Sequence, residues 1–143
     1  MGKISVVYWS QSGNTLAMAE AIGKGITEGG AQAEVVNVSS CQVSDLDTEE
    51  VFALGCPAMG AEVLEESEME PFVAELEGNV KGKKIALFGS YGWGDGQWMR
   101  DWEERMISAG ATVVNGEGLI CQEAPDGDVI SECESLGKQL AGM

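Results

Sequence analysis

A short polar segment, SQSGNT, directly follows an apolar stretch near the N-terminus. Its hydroxyl groups, amide and flexible glycine come from Ser10, Ser12, Thr15, Asn14 and Gly13. A helix is expected to begin near Asn14, and the free N–H groups at its start, together with these side chains, predict a binding site for an anion such as phosphate. The segment contains no Lys or Arg, so a bound phosphate would keep its negative charge. The alternative is an ordinary strand-to-helix turn with Ser or Thr as the N-cap.

The residue types exclude several kinds of chemistry. The segment lacks the Gly-Lys-Ser/Thr of a Walker loop, the Gly-x-Gly-x-x-Gly of a Rossmann loop and the Cys and Arg of a tyrosine-phosphatase loop. A receiver domain needs an Asp at the end of its third strand, where this chain has Gly55 and Cys56. The chain has no His, the commonest general base, and its four cysteines form no Cys-x-x-Cys pair. We therefore expect no catalytic residues and no metal site, and we interpret the cysteines as buried, reduced thiols.

Two later segments could hold a flat aromatic ligand. In SYGWGDGQW, Trp93 lies between two glycines, and in GCPAMGAEVLEE, Met59 precedes another glycine. A thioether on one side and an indole on the other could enclose an aromatic ring system. Trp98 and Trp102 are four residues apart, and we expect them in the core of the next helix.

The elements that carry these segments follow from hydrophobic patterning. Short runs rich in Val, Ile and aromatic residues predict strands covered on both faces: KISVVYW, AEVVNV, VFALGCP, KKIALFGS and ATVV. Helices are predicted between and after them, over 15–28, 69–77, 97–109 and 129–140. This alternation predicts a single α/β domain, residues 1–143, with a parallel sheet and helices on both faces in three layers. Ligands bind outside the carboxyl ends of such strands, where the three segments lie.

The charge of the chain restricts its partners. With 24 acidic and 8 basic residues, the net charge is −16, which argues against nucleic acid and anionic membranes and favours partner proteins with basic docking surfaces. Seven glutamates form an acidic segment with no Lys or Arg among them: Glu62, Glu65, Glu66, Glu68, Glu70, Glu75 and Glu77. We interpret this segment as a solvated face, or as a negative rim that attracts partners. The one basic cluster, KGKK, is interpreted as the lead-in to a strand.

The sequence also bears on location. No apolar run approaches the roughly 20 residues of a membrane-spanning helix. The N-terminus runs into a strand without a signal-peptide pattern, so a cytoplasmic protein is expected.

The three segments together resemble the short-chain flavodoxins, notably those of anaerobic bacteria. SQSGNT, GCPAMGAEVLEESEMEPF and FGSYGWGDGQWM occur in the order and at the strand ends that this family has, and the resemblance covers essentially the whole chain. It implies a five-stranded parallel sheet of order 2-1-3-4-5 and non-covalently bound FMN. It also implies a low-potential one-electron carrier rather than an enzyme, cycling between semiquinone and hydroquinone and substituting for ferredoxin. A monomer is the default expectation for a carrier of this charge.

The resemblance assigns cofactor contacts residue by residue. The phosphate would be wrapped by Ser10, Gln11, Ser12, Gly13, Asn14 and Thr15. Met59 and Gly60 would line the inner face of the isoalloxazine ring, Trp93 would stack on its outer face, and Glu62 would accept from the pyrimidine N3–H. The remaining contacts would come from Pro57, Ala58, Ala61, Ser90, Tyr91, Gly92 and Gly94. Gln11 stands where a small residue is often found, and Ala61 where a polar residue such as Asp is frequent.

Residue chemistry gives reasons why such a carrier would have two separated potentials. Gly60 can rotate its peptide at little cost, so its carbonyl could accept a hydrogen bond from reduced flavin N5. The second electron would enter beside a phosphate without a cation and near the acidic segment, which lowers the second potential. Two alternatives stay open: a flavin-dependent NAD(P)H reductase, for which we find no basic nucleotide-phosphate site, and an acidic binding module without turnover.

Overall fold

Strands and helices alternate along residues 2–143, which the computed structural model of the chain describes. The six strands are β1 (Lys3–Tyr8), β2 (Gln32–Asn37), β3 (Val51–Gly55), β4 (Lys84–Tyr91), β5 (Thr112–Val113) and β6 (Leu119–Gln122). The four α-helices are α1 (Asn14–Glu28), α2 (Met69–Leu76), α3 (Gln97–Ser108) and α4 (Gly127–Ala141). Met1, the first residue of the predicted 1–143 domain, lies outside the described residues. None of the helices within 2–143 has the length and apolar composition that crossing a membrane requires.

The strands form one parallel sheet in the order β2-β1-β3-β4-β5, with β6 also paired to β4. In the register of the central strands, Val6 of β1 lies opposite Val35 of β2 and Ala53 of β3. The predicted order 2-1-3-4-5 is confirmed. Because strand order reverses at β1 and β3, the loops after these two strands face each other at the carboxyl edge of the sheet.

The fifth position of the sheet is divided between two short strands. Val113 ends β5 opposite Ile85, and Leu119 begins β6 opposite Phe88, so residues 114–118 face only two residues of β4. The chain leaves the sheet in this interval. The sequence pattern predicted one strand from ATVV and missed β6, because LICQ is short.

Two hydrophobic layers hold the sheet between the helices. One layer contains Phe52, Trp98 and Trp102 beside α2 and α3, and the other contains Met18 and Phe88 beside α1 and α4. Both tryptophans are only 1% exposed, so the prediction that they belong to the core is confirmed.

All four cysteines are free thiols, as predicted. Cys56, Cys121 and Cys133 are buried, and Cys41 is half-buried. Desolvation is the main cause that raises the pKa of all four, to about 12 for Cys56 and Cys133 and to about 11 for Cys41. These thiols stay protonated at neutral pH, which suits small apolar side chains rather than nucleophiles.

The basic cluster KGKK leads into β4, as predicted. Its second lysine, Lys83, donates from Nζ to the carbonyl oxygens of Leu46, Asp47 and Glu49 at 2.7, 3.0 and 2.7 Å. Lys83 thus closes the end of a short 3-10 turn before β3 and has a structural role at the edge of the sheet opposite the candidate site.

Candidate functional site

A cavity of about 190 Å³ opens at the carboxyl ends of β1, β3 and β4. The loops after β1, β3 and β4 form most of it, as the sequence predicted, and Glu123, which follows β6, completes it. Its lining residues are Ser10, Gln11, Ser12, Asn14, Thr15, Pro57, Ala58, Met59, Ser90, Tyr91, Gly92 and Glu123. All of them except Glu123 were predicted to contact a cofactor, so the fold brings the polar and the aromatic segments to one place.

The loop after β1 turns into α1 through a glycine. Gly13 is the N-cap, with φ of 94°, and it caps the helix with no side-chain hydrogen bond. Ser10 compensates in part, because its Oγ accepts from the N–H groups of Gly13 and Leu16 at 3.2 and 3.3 Å. The alternative interpretation, an N-cap Ser or Thr, is therefore wrong about the residue at the cap. A left-handed conformation at this turn favours glycine, since a Cβ there costs about 1 kcal/mol or more.

The start of α1 leaves donors unused. The N–H groups of Asn14 and Thr15 have no hydrogen-bond acceptor within residues 2–143. The Thr15 side chain is buried, and its Oγ1 lies 3.4 Å from Oγ of Ser90. This contact fixes the first loop against the end of β4 and leaves the helix N-terminus directed at the cavity.

The cavity carries no positive charge. No Lys or Arg is among its lining residues, whereas Glu123 adds a carboxylate. Within residues 2–143, no group of three or more His, Cys, Asp or Glu side chains is arranged to hold a metal ion. An anion bound here would be stabilised by backbone N–H groups, hydroxyls and the dipole of α1 alone.

The loop after β3 contains a tight turn. Met59 and Val63 exchange two backbone hydrogen bonds of 2.9 Å each, which closes the turn between them. Gly60 is exposed and has φ of 49°, and a Cβ added to it would have no other atom within 4 Å. The backbone at this position is therefore not held by packing.

Glu62 connects this turn to the loop after β4. Its Oε1 accepts from the N–H groups of Gly96 and Gln97, at 3.2 and 3.1 Å, where α3 begins. A side chain at Gly94 would overlap the Glu62 carboxylate, so the two loops approach as closely as a glycine permits. The second oxygen, Oε2, receives no hydrogen bond within the described residues.

The loop after β4 exposes one large aromatic side chain. Trp93 is 64% exposed, in contrast to the buried Trp98 five residues later. Trp98 donates from Nε1 to the carbonyl oxygen of Cys56 at 3.0 Å and packs 5.6 Å from the ring of Tyr91. The base of the loop is thus fixed to β3, while Trp93 is free to contact a ligand.

Some predicted site residues lie outside the lining of this cavity. They are Gly13, Gly60, Ala61, Glu62, Trp93 and Gly94. All of them lie in the same three loops, within three positions of a lining residue.

Part of the acidic segment is structural rather than solvated. Glu65 is only 7% exposed, and its carboxylate accepts from the N–H groups of Ser67, Glu68 and Met69 at 2.7, 2.8 and 3.0 Å, before and at the start of α2. Burial opposes ionisation of Glu65, but the donors outweigh it and lower its pKa. The interpretation of the whole segment as a solvated face is wrong for this residue.

Two further glutamates of the segment are paired. Arg105 of α3 contacts Glu70 at 2.8 Å and Glu77 at 2.6 Å. The sequence pattern could not predict this pairing, because Arg105 lies 28 or more positions from both glutamates. Glu66 and Glu75 remain exposed and form no ion pair within 2–143.

Glu123 is the cavity residue that sequence reasoning missed. It follows β6, has φ of 59°, and donates its N–H to the Tyr91 carbonyl at 2.8 Å. No signal for it was available, because its position depends on β6.

Comparison with known proteins places these features in a family. The sequence model of the Flavodoxin family matches residues 6–136. The chain is 51% identical over 140 residues to a flavodoxin of Clostridium beijerinckii, covering 98% of this chain and 100% of the relative. It is 46% identical over 138 residues to a flavodoxin of Megasphaera elsdenii, covering 96% and 98%. The solution structure of two-electron reduced M. elsdenii flavodoxin superimposes with a TM-score of 0.88 at 45% identity, covering both chains fully.

Proposed function

The chain belongs to the flavodoxin family, and from that premise we propose that it is a low-potential one-electron carrier whose FMN is held by the three loops at the carboxyl edge of the sheet. Membership makes it a flavin-based electron-transfer protein rather than an enzyme, and FMN is its cofactor. FMN supplies the redox chemistry, because its isoalloxazine ring takes up and releases single electrons. The protein's residues have to bind it, orient it and set its potentials.

The first loop fits the phosphate end of FMN. The N–H groups of Asn14 and Thr15 are unused, and the hydroxyls of Ser10 and Ser12 are close by in the cavity lining. A phosphate at a helix N-terminus needs several hydrogen-bond donors, and these N–H groups and hydroxyls supply them without a cation. This set of unused donors is the observation that carries the assignment of the site.

The other two loops fit the ring. Trp93 offers an exposed indole, and Met59 offers a half-buried thioether. We assign to Glu62 Oε2 the bond to the pyrimidine N3–H, because Oε1 already accepts two backbone donors while Oε2 accepts none from the described residues. Those two bonds fix the carboxylate in orientation, so it can select a donor without losing side-chain entropy on binding.

The charges near the cavity favour low potentials. A carboxylate about 10 Å from an added electron opposes it by about 0.4 kcal/mol in water and about 1.7 kcal/mol at an effective dielectric of 20. This corresponds to roughly 20–70 mV for each carboxylate. Glu123 lines the cavity and Glu62 lies in the loop after β3, and no basic residue in the cavity lining opposes them.

The exposed acids support a docking role. Glu66 and Glu75 carry free charges near α2, and the whole chain has a net charge of −16. We propose that redox partners present basic surfaces to this side and that the carrier acts as a monomer in the cytoplasm. Electrostatic attraction then accelerates encounter without requiring a tight complex, which suits a shuttle that must also dissociate.

An anaerobic redox titration of the FMN-loaded protein, followed by visible absorbance, tests the proposal. We expect two separate one-electron steps, with a spectrum at the midpoint that belongs neither to oxidised nor to fully reduced protein. Reduction in a single two-electron step would refute the one-electron carrier and favour a reductase, which hydride oxidation from NADH or NADPH would then detect. Failure to bind FMN at all would refute the assignment of the site.

A further inference from the structure

We propose that the outer edge of β6, together with an acidic groove beside it, docks an extended basic segment of a partner protein. The inference rests on the proposed function, because it takes the partner to be a redox protein with a basic surface. The inference adds the place where part of that basic surface binds, and it states that the bound segment is extended.

β6 is an open edge of the sheet. Both β5 and β6 pair with β4 alone, and no strand within residues 2–143 covers their other side. An edge strand presents unpaired N–H and C=O groups to which an extended chain can add as a further strand. The sequence of β6, LICQ, contains neither Lys nor Pro, the residues that commonly block such an edge. Its four residues span about 13 Å, which suits a partner segment of roughly four to six residues.

A groove of about 510 Å³ runs along this edge between α3 and α4. Its apolar floor comes from Met99, Leu119, Ile120 and Leu136. Leu119 and Ile120 are half-buried, unlike the fully covered residues of the central strands. A docked strand would therefore bury apolar surface as well as complete hydrogen bonds.

The groove is held in shape from both sides. The N–H of Gly118 donates to Glu103 of α3 at 2.7 Å. Asn115 and Gln139 of α4 exchange two amide hydrogen bonds, of 3.1 and 2.7 Å. These contacts connect residues 114–118, between β5 and β6, to both helices. Binding of a partner would therefore require little further ordering of this segment.

The charges of the groove select a basic occupant. Glu103, Glu117 and Glu132 line it. Arg100 is the one basic lining residue, and it is paired with Asp95 at 3.0 Å. Glu117 and Glu132 have no ion-pair partner in the part of the chain that the structure describes. Lysine or arginine side chains on a docked strand would meet these free carboxylates.

The groove is continuous with the loops around the candidate site. Gly96 lines the groove, and its N–H donates to the Glu62 carboxylate. A partner segment in the groove would lie directly beside the loop that carries Trp93. The groove thus provides a second attachment point that would orient a partner over the exposed indole.

The test uses the FMN-loaded protein labelled with ¹⁵N and an acetylated, amidated hexapeptide in which lysine and valine alternate. We expect amide shift changes along β6, from Leu119 to Gln122, at low ionic strength. The double variant Glu117→Gln, Glu132→Gln should raise the Kd about threefold to tenfold. The matched control is Glu20→Gln, Glu50→Gln, which removes the same charge from exposed positions on other surfaces and should leave the Kd unchanged.

A second peptide separates strand pairing from simple charge attraction. Methylating every backbone nitrogen keeps every charge but removes the donors on both edges of an extended strand, so this peptide should bind at least about threefold more weakly. Equal affinity of the two peptides, shift changes confined to other surfaces, or equal effects of the two double variants would each overturn the inference. FMN binding and the redox titration are measured on the same samples, so failure of the docking site is distinguishable from failure of the proposed function.

Discussion

At the scale of single residues, Trp93 is the clearest test of the proposed binding site for the isoalloxazine ring. Its side chain is 64% exposed and lies between Gly92 and Gly94, so it contributes little to the core. Trp93→Ala should weaken FMN binding about threefold to tenfold, because an aromatic stack contributes about 0.5–1.5 kcal/mol. Fluorescence titration of FMN measures the Kd, and urea unfolding of the apoprotein should give an unchanged free energy. Trp93→Phe should restore most of the affinity, and an unaltered Kd in Trp93→Ala would contradict the stacking assignment.

Gly60 tests how the first potential is set. Gly60→Ala should lower the oxidised/one-electron-reduced potential by roughly 20–65 mV, because the carbonyl of this peptide would no longer rotate to accept a hydrogen bond worth about 0.5–1.5 kcal/mol. Gly30→Ala is the matched control, because both glycines have a positive φ, of 49° and 97°, and open space around a new Cβ. Potentiometric titration of both variants should show a shift at Gly60 alone. Equal potentials in the two variants would exclude the peptide rotation.

Glu65 makes the fold depend on pH. The pKa of this carboxyl is lowered from its ordinary value of 4.5, so its contribution to stability is present above that value and is lost as the pH falls through the lower folded-state pKa. Glu65→Gln should cost about 0.5–2 kcal/mol at pH 7, as loss of a helix cap does. Urea unfolding at pH 7, 5.5, 4.5 and 3.5 should show the difference from the parent shrinking below pH 4.5. Glu66→Gln, at the exposed neighbouring position, should show no such convergence.

At the scale of elements, the contact between α1 and α4 depends on the absence of side chains. A Cβ at Gly137 would overlap the Ile22 carbonyl, and one at Gly25 would overlap the Glu134 carbonyl. Gly137→Ala should therefore reduce the free energy of unfolding by about 1–3 kcal/mol, because the helices must separate. Gly142→Ala is the control, since its nearest atom would be at an ordinary 3.6 Å. Equal unfolding free energies for the two variants would contradict a close helix contact.

The elements also show where sequence reasoning succeeds and where it stops. The strands β1 to β4 are rich in Val, Ile and other apolar residues, so their existence and the meeting of three loops could be predicted from the pattern, whereas the strand order was implied by the family resemblance. The division of the fifth strand could not, because it depends on Asn115 and Gly116, with φ of 65° and 78°, and on ties to Glu103 and Gln139 from distant helices. The same limit applies to Glu65 and Arg105, whose partners are set by tertiary structure.

At the scale of the whole molecule, the net charge of −16 predicts that electron transfer to a basic partner depends on ionic strength. The Debye length falls from about 30 Å at 0.01 M salt to about 8 Å at 0.15 M, so attraction between the two proteins is increasingly screened. The bimolecular rate constant for reduction of a basic haem protein should fall at least about tenfold over this range. Stopped-flow kinetics measures it, and an acidic haem protein should show the opposite dependence.

The effect of where the charges lie on the protein surface can be separated from the effect of the net charge. Glu66→Gln, Glu75→Gln neutralises two exposed members of the acidic segment, whereas Glu20→Gln, Glu50→Gln neutralises two exposed residues on other surfaces. If partners approach the side that carries Glu66 and Glu75, the first pair should lower the low-salt rate constant more and flatten its salt dependence more than the second. Both variants have the same net charge, so equal effects would mean that the field of the whole molecule, and not a located docking surface, attracts the partner.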